Sequence, residues 1–164
     1  MARAPRDRHE PIDLRVADVV LAGTQDLLPV LRAAAVRAGV DASRMRVVGA
    51  DDLPDPGETG HAELAVIAIR RRGDDPAFHR AQETAETIEP LLAPNAVQIV
   101  VTVSGLTRLA PKVERTLTSE VLHQISAASA PSGFERPFRS FRMRLGVAGL
   151  RAAGVRVFRV SIGH

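Results

Sequence analysis

The stretch DDLPDPGETGHAE, residues 51–63, decides how this chain folds. It joins two apolar runs, MRVVGA (45–50) and ELAVIAIR (63–70), that have the composition of strands. Pro54, Pro56, Gly57 and Gly60 exclude a regular helix between them. A parallel pair of strands needs a crossover of about a dozen residues, usually with a helix, whereas an antiparallel pair needs only a loop. The 12 residues 51–62 stand at that limit, so the direction of the second strand against the third separates two architectures.

Strand and helix signals alternate on either side of this link. VADVVLAG (16–23) is β-branched and stops at Gly23, as a strand does. TQDLLPVLRAAAVRAG (24–39) follows with Leu27, Leu31, Ala35 and Ala38 at helical spacing. Thr24 or Asp26 is the expected cap, Pro29 falls in the first turn, and Gly39 closes the helix. Beyond ELAVIAIR, Asp75-Pro76 opens a helix whose buried face is Phe78, Ala81, Ala85, Ile88 and Leu92, with Pro90 ending or kinking it. AVQIVVTVSG (96–105) is the clearest strand. Helices are expected at 111–128 and 137–153, and VRVFRVSI (155–162) is the last strand.

The order β-α-β-β-α-β-α-α-β defines an α/β protein. The leading expectation is a single layered domain over 16–164, after a polar N-terminal arm at 1–15. It holds a mostly parallel five-stranded sheet with helices on both faces, as in flavodoxin or receiver folds that have lost the second helix. The alternative is a ferredoxin-like βαββαβ unit over 16–103 with an appended helix and strand. Consecutive apolar residues in AVIAI and IVV favour the first, since such strands are covered on both faces.

ELAVIAI and VQIVVTVSG resemble the third and fourth strands of response-regulator receivers. Receivers place an acidic pair after the first strand, an Asp after the third and a Lys after the fifth. This chain has Gly23-Thr24, Ile69-Arg70 and Ser161-Ile162 there, so the resemblance implies a fold and no phosphorylation chemistry.

Charge is segregated along the chain. Residues 1–107 carry 12 Arg and 16 acids, whereas 108–164 carry 9 Arg, Lys112 and 3 acids, which makes the last third strongly basic. The opposite pole is 51–63, with five acids and no base. Such asymmetry points to an anionic partner, or to two surfaces that meet each other. The chain has no Cys, which excludes disulfides and thiolate metal sites and suits a cytoplasmic protein. It has no apolar h-region at its start and no membrane-spanning run. It also lacks Trp and Tyr, which argues against an aromatic base-stacking surface.

Ligands of layered α/β folds bind at the carboxyl ends of the strands. Those ends are expected to carry Thr24 and Gln25, Asp51 and Asp52, Arg70 to Arg72, Ser104 to Arg108, and Ser161 to His164. Thr24 together with Ser104, Gly105, Thr107 and Arg108 is the candidate anion site: a glycine turn, hydroxyl donors, a helix start and one cation. The competing reading of SGLTR is an ordinary strand-to-helix turn. Ser104 and His164 form no recognisable nucleophile elbow, the acidic link lacks EF-hand spacing, and the five His are scattered, so no catalytic or metal-binding residues are assigned.

GFERPFRSFRMR (133–144) is the candidate partner-binding surface, through Phe134, Arg136, Phe138, Arg139, Arg142 and Arg144. Arginines opening a helix meet the positive end of its dipole and repel one another, costs that a negative partner removes. Phe flanked by Arg is the composition of a protein interface. Three functions follow. The first is a non-catalytic interaction or regulatory module that binds an acidic protein or self-assembles. The second is a small enzyme or sensor for a phosphorylated or nucleotide ligand. The third is a nucleic-acid-binding protein using the basic last third. No cofactor is specified by any motif.

Overall fold

A computed structural model describes residues 12–52, 54–71, 77–103, 110–129 and 155–161. Five strands form one sheet: β1 (Val19–Gly23), β2 (Met45–Gly49), β3 (Ala62–Arg70), β4 (Leu92–Val103) and β5 (Val155–Ser161), in the order β2-β1-β3-β4-β5. β2, β1, β3 and β4 are mutually parallel, and β5 is antiparallel to β4. The helices are α1 (Leu28–Ala38), α2 (Ala77–Ile88) and α3 (Pro111–Ser129). The chain is therefore a single α/β domain with a mostly parallel five-stranded sheet.

β2 and β3 lie on opposite sides of β1 and run the same way. The acidic link is thus a crossover without a helix. Its Pro56-Gly57 turn is closed by Glu58 N–H donating to the Asp55 carbonyl at 3.0 Å, with Gly57 at φ 88°, where a side chain is disfavoured. The far end of this strap is tied down by Gly60 N–H to the Pro90 carbonyl at 3.1 Å, and by Arg46 Nη2 to Glu58 Oε2 at 3.2 Å.

Side chains alternate across the sheet and build two cores. Val19, Leu21, Leu64, Val66, Ile99 and Val101 face α1 and α3, where they meet Leu31, Leu117, Val121 and Ile125. Val20, Ala22, Ala65, Ile67 and Ile69 face α2, where they meet Ala81 and Ile88. Every residue of β3 from Ala62 to Ile69 is buried, as the consecutive apolar residues of that run predict. A register shift between Ala62 and Leu64, against the longer Leu92–Val97 segment of β4, moves Ala62 to the α2 face. Ile12 and Leu14 also sit in the α1–α3 core, and Ile12 N–H donates to the Ala128 carbonyl at 3.2 Å.

Two expectations change. α1 has no side-chain cap: its N-cap is Leu27, because the Asp26 carboxylate pairs with Arg70 instead. Pro29 does occupy the first turn, and Gly39 ends the helix at φ 103°. The carboxyl edge also loses one strand end. Val155 pairs with Val103 and Ser161 with Val97, so β5 leaves the sheet at the opposite edge from β4. Apolar alternation carries no information on strand direction, which is why the sequence put Ser161 with the other strand ends. Pro90 does end α2, in a short 3₁₀ turn over Glu89–Leu91.

Candidate functional site

The four parallel strands end together at Gly23, Gly49, Arg70 and Val103. β1 and β3 approach closely at Gly23. This glycine holds φ 152°, and a Cβ there would strike the Ala68 carbonyl of the neighbouring strand. The chain turns sharply after it, and Thr24 N–H donates to that same Ala68 carbonyl at 3.0 Å.

α1 and α2 leave β1 and β3 toward opposite faces, so the gap between these two strands is where α/β folds commonly place a ligand. Here the gap is bridged by the chain itself. Arg70 N–H donates to Thr24 Oγ1 at 3.0 Å. The Arg70 guanidinium donates to Asp26 Oδ2, through Nε at 2.8 Å and through Nη2 at 2.7 Å. Thr24, the one described member of the expected anion site, is engaged in this bridge. Ser104, Gly105, Thr107 and Arg108 lie outside the described residues, as do Phe134, Arg136, Phe138, Arg139, Arg142 and Arg144.

Among the described residues, open space at this edge lies one strand further out. A cleft of about 420 Å³ runs between the turn after β2 and the exposed side of α2. Its size is that of a small-molecule site. It lies beside the strap, where a helix would have packed had the link formed one, and extended chain is narrower than a helix. Val48 and Ile88 supply an apolar floor. Asp51 and Asp52 form one bank, and Arg80, Glu83, Thr84 and Thr87 form the other.

Local structure fixes both banks. Asp52 N–H donates to the Gly49 carbonyl at 2.9 Å, and Ala50 N–H to the Gly23 carbonyl at 2.8 Å, which hold the first turn of the strap to the sheet. On the α2 side, Arg80 Nη1 donates to the Arg70 carbonyl at 3.0 Å and so orients the guanidinium. The hydroxyls of Thr84 and Thr87 donate to the carbonyls of Arg80 and Glu83, both at 2.9 Å, which leaves their oxygens as acceptors. Among the described residues no carboxylate lies within ion-pair distance of Arg80, and no cation within ion-pair distance of Asp51 or Asp52. Glu83 Oε1 faces His79 Nε2 at 3.0 Å.

Arg80, Glu83, Thr84 and Thr87 stand at i, i+3, i+4 and i+7, one polar stripe beside the buried face of Ala81 and Ile88. That spacing was available in the sequence. What was missing was the strap opposite it, since nothing in the sequence says which helix the acidic link faces. Among the described residues no cluster of acidic and histidine side chains could hold a metal ion, and no helix is long and apolar enough to cross a membrane.

Compared with known proteins, the chain matches no family pattern and shows no significant sequence similarity to a curated protein.

Proposed function

We propose that this protein is a small-molecule-binding α/β module, a sensor or a small enzyme, whose ligand occupies the cleft between the turn after β2 and α2. The observation that carries this is Arg80. Its guanidinium is held against the end of β3, lines a cleft of ligand size, and has no carboxylate partner among the described residues. A partly buried guanidinium without a counter-charge costs free energy that a bound anionic group recovers. Asp51, Asp52 and Glu83 in the same cleft disfavour the phosphorylated or nucleotide class, because a polyanion would meet three carboxylates.

The test is a thermal-shift screen of the full chain against sugars, nucleosides, carboxylic acids, amines and amino acids. A ligand at ten times its Kd stabilises by about 1.4 kcal/mol, which raises Tm by roughly 3–6 °C in a chain of this size. The rise should vanish in Arg80→Gln. A screen with no Arg80-dependent rise contradicts the proposal. With no Trp or Tyr, the protein scarcely absorbs at 280 nm, so a co-purified aromatic ligand would be visible directly.

A second reading rests on a separate observation, the net charge of +7 over 108–164 against the exposed Asp51, Asp52 and Asp55 of the strap. It is a protein-interaction module that binds an acidic partner, or a second copy, through the arginines and phenylalanines of 134–144. Replacing Arg136, Arg139, Arg142 and Arg144 with Gln should abolish salt-sensitive association, and unchanged assembly at every ionic strength would exclude this reading. Binding of nucleic acid by the same segment would instead show a log–log salt slope of about −0.9 per phosphate contacted on duplex DNA.

A further inference from the structure

The cleft sets Arg80 on its α2 bank against Asp51 and Asp52 on the other, while Glu83, also on the α2 bank, faces His79, and this constrains its ligand beyond being small and polar. Arg80 supplies the cation on the α2 bank, and one of its five N–H donors is already committed to the Arg70 carbonyl. The others remain for an oxygen pair, the geometry in which guanidinium binds carboxylate best. Across the cleft, Asp51 and Asp52 are exposed and pair with no cation among the described residues. The end of β3, where Arg80 is anchored, lies two strand spacings from the end of β2, which is about 10 Å. The apolar floor of Val48 and Ile88 lies within the same cleft.

We infer that the ligand is a small zwitterion of the amino-acid type, with its carboxylate on Arg80, its amine against Asp51 or Asp52, and its hydrocarbon segment on Val48 and Ile88. This inference rests on the cleft being the binding site. A simple carboxylic acid satisfies Arg80 and leaves Asp51 and Asp52, on the opposite bank, facing its tail. A simple amine satisfies the aspartates and leaves the guanidinium unpaired. A neutral polyol answers neither bank. Only a molecule with both charges, separated by a short aliphatic segment, compensates both.

The test is calorimetric titration of the full chain with γ-aminobutyrate, 5-aminovalerate and L-lysine, beside butyrate and butylamine. At least one amino acid should bind at least about tenfold more tightly than either monofunctional compound. Arg80→Gln and the double change Asp51→Asn with Asp52→Asn should each weaken that binding by at least about tenfold. The aspartates are exposed, so the double variant keeps the test valid if R80Q folds poorly. The inference is overturned if butyrate or butylamine binds equally well, if the Asn variant binds unchanged, or if none of the five compounds binds. If another compound then shows Arg80-dependent stabilisation in the wider screen, the cleft survives as a site and only the zwitterion is excluded. If nothing binds, both ideas fail.

Discussion

Arg70 and Asp26 are joined at 2.7 Å across the carboxyl ends of β3 and β1. The Arg70 side chain is 16% exposed and that of Asp26 49%, so the pair is only partly screened by water. Together with the bond from Arg70 N–H to Thr24 Oγ1, it bridges the gap in which many α/β proteins hold a ligand. Among the described residues, a cleft at the same edge lies beside α2. Asp26→Ala should destabilise the fold by about 1 kcal/mol, given the exposure of the carboxylate. Thr24→Val, which strands the Arg70 N–H, should cost about 1–2 kcal/mol. Urea unfolding of the two variants checks both values, and neither should alter binding in the cleft.

Gly23 permits the tight exit from β1. Gly23→Ala places a Cβ against the Ala68 carbonyl, in backbone that cannot yield without parting β1 from β3. A loss of about 3 kcal/mol or more is expected. A variant with an unchanged unfolding midpoint would show that the two strands separate more easily than their pairing implies.

The strap can be tested at its far end. A Cβ on Gly60 would lie 2.8 Å from the Leu91 carbonyl, so Gly60→Ala must push the strap away from the end of α2. We expect a destabilisation of about 1–2 kcal/mol and weaker ligand binding, because the strap carries one bank of the cleft. Calorimetry and thermal unfolding of the same variant separate the two effects.

Asp41 caps the 3₁₀ turn over Ala42–Arg44. Its Oδ1 accepts from Ser43 N–H at 2.9 Å and from the Ser43 hydroxyl at 2.8 Å. These bonds, the backbone one first, favour the ionised carboxyl and hold its pKa below the ordinary value, with a smaller contribution from Arg44. A lowered folded-state pKa gives stability that is present above the unfolded value, about 3.9, and is lost as pH falls through the folded value. The Tm difference between the native chain and Asp41→Ala should therefore be largest near neutral pH and shrink as pH falls below the unfolded value, about 3.9.

The fold was largely legible because composition and period act locally. The unbroken apolar residues of ELAVIAIR required cover on both faces, and β3 is buried throughout. Pro90 and Gly39 stopped their helices for steric reasons that need no tertiary context. Direction was less legible. The 51–62 link and the strand at 155–161 have the same local pattern whichever way they run, and only packing makes the first a crossover and reverses the second. The site was least legible. Asp26 satisfies every requirement for a helix cap, yet its carboxylate is taken by Arg70, which is distant in sequence. Arg80 carried no motif, and its significance comes from the Arg70 carbonyl that orients it and from the strap that faces it.

On the proposed reading, a small ligand occupies the cleft between the turn after β2 and α2. Amide chemical-shift mapping of the isotopically labelled chain, titrated with the compound giving the largest thermal shift, tests this most directly. The amides of 48–52 and 80–88 should shift together and saturably, and those of 24–27 should move little. Shifts centred on Thr24 and Arg70, or none among 80–88, would contradict it.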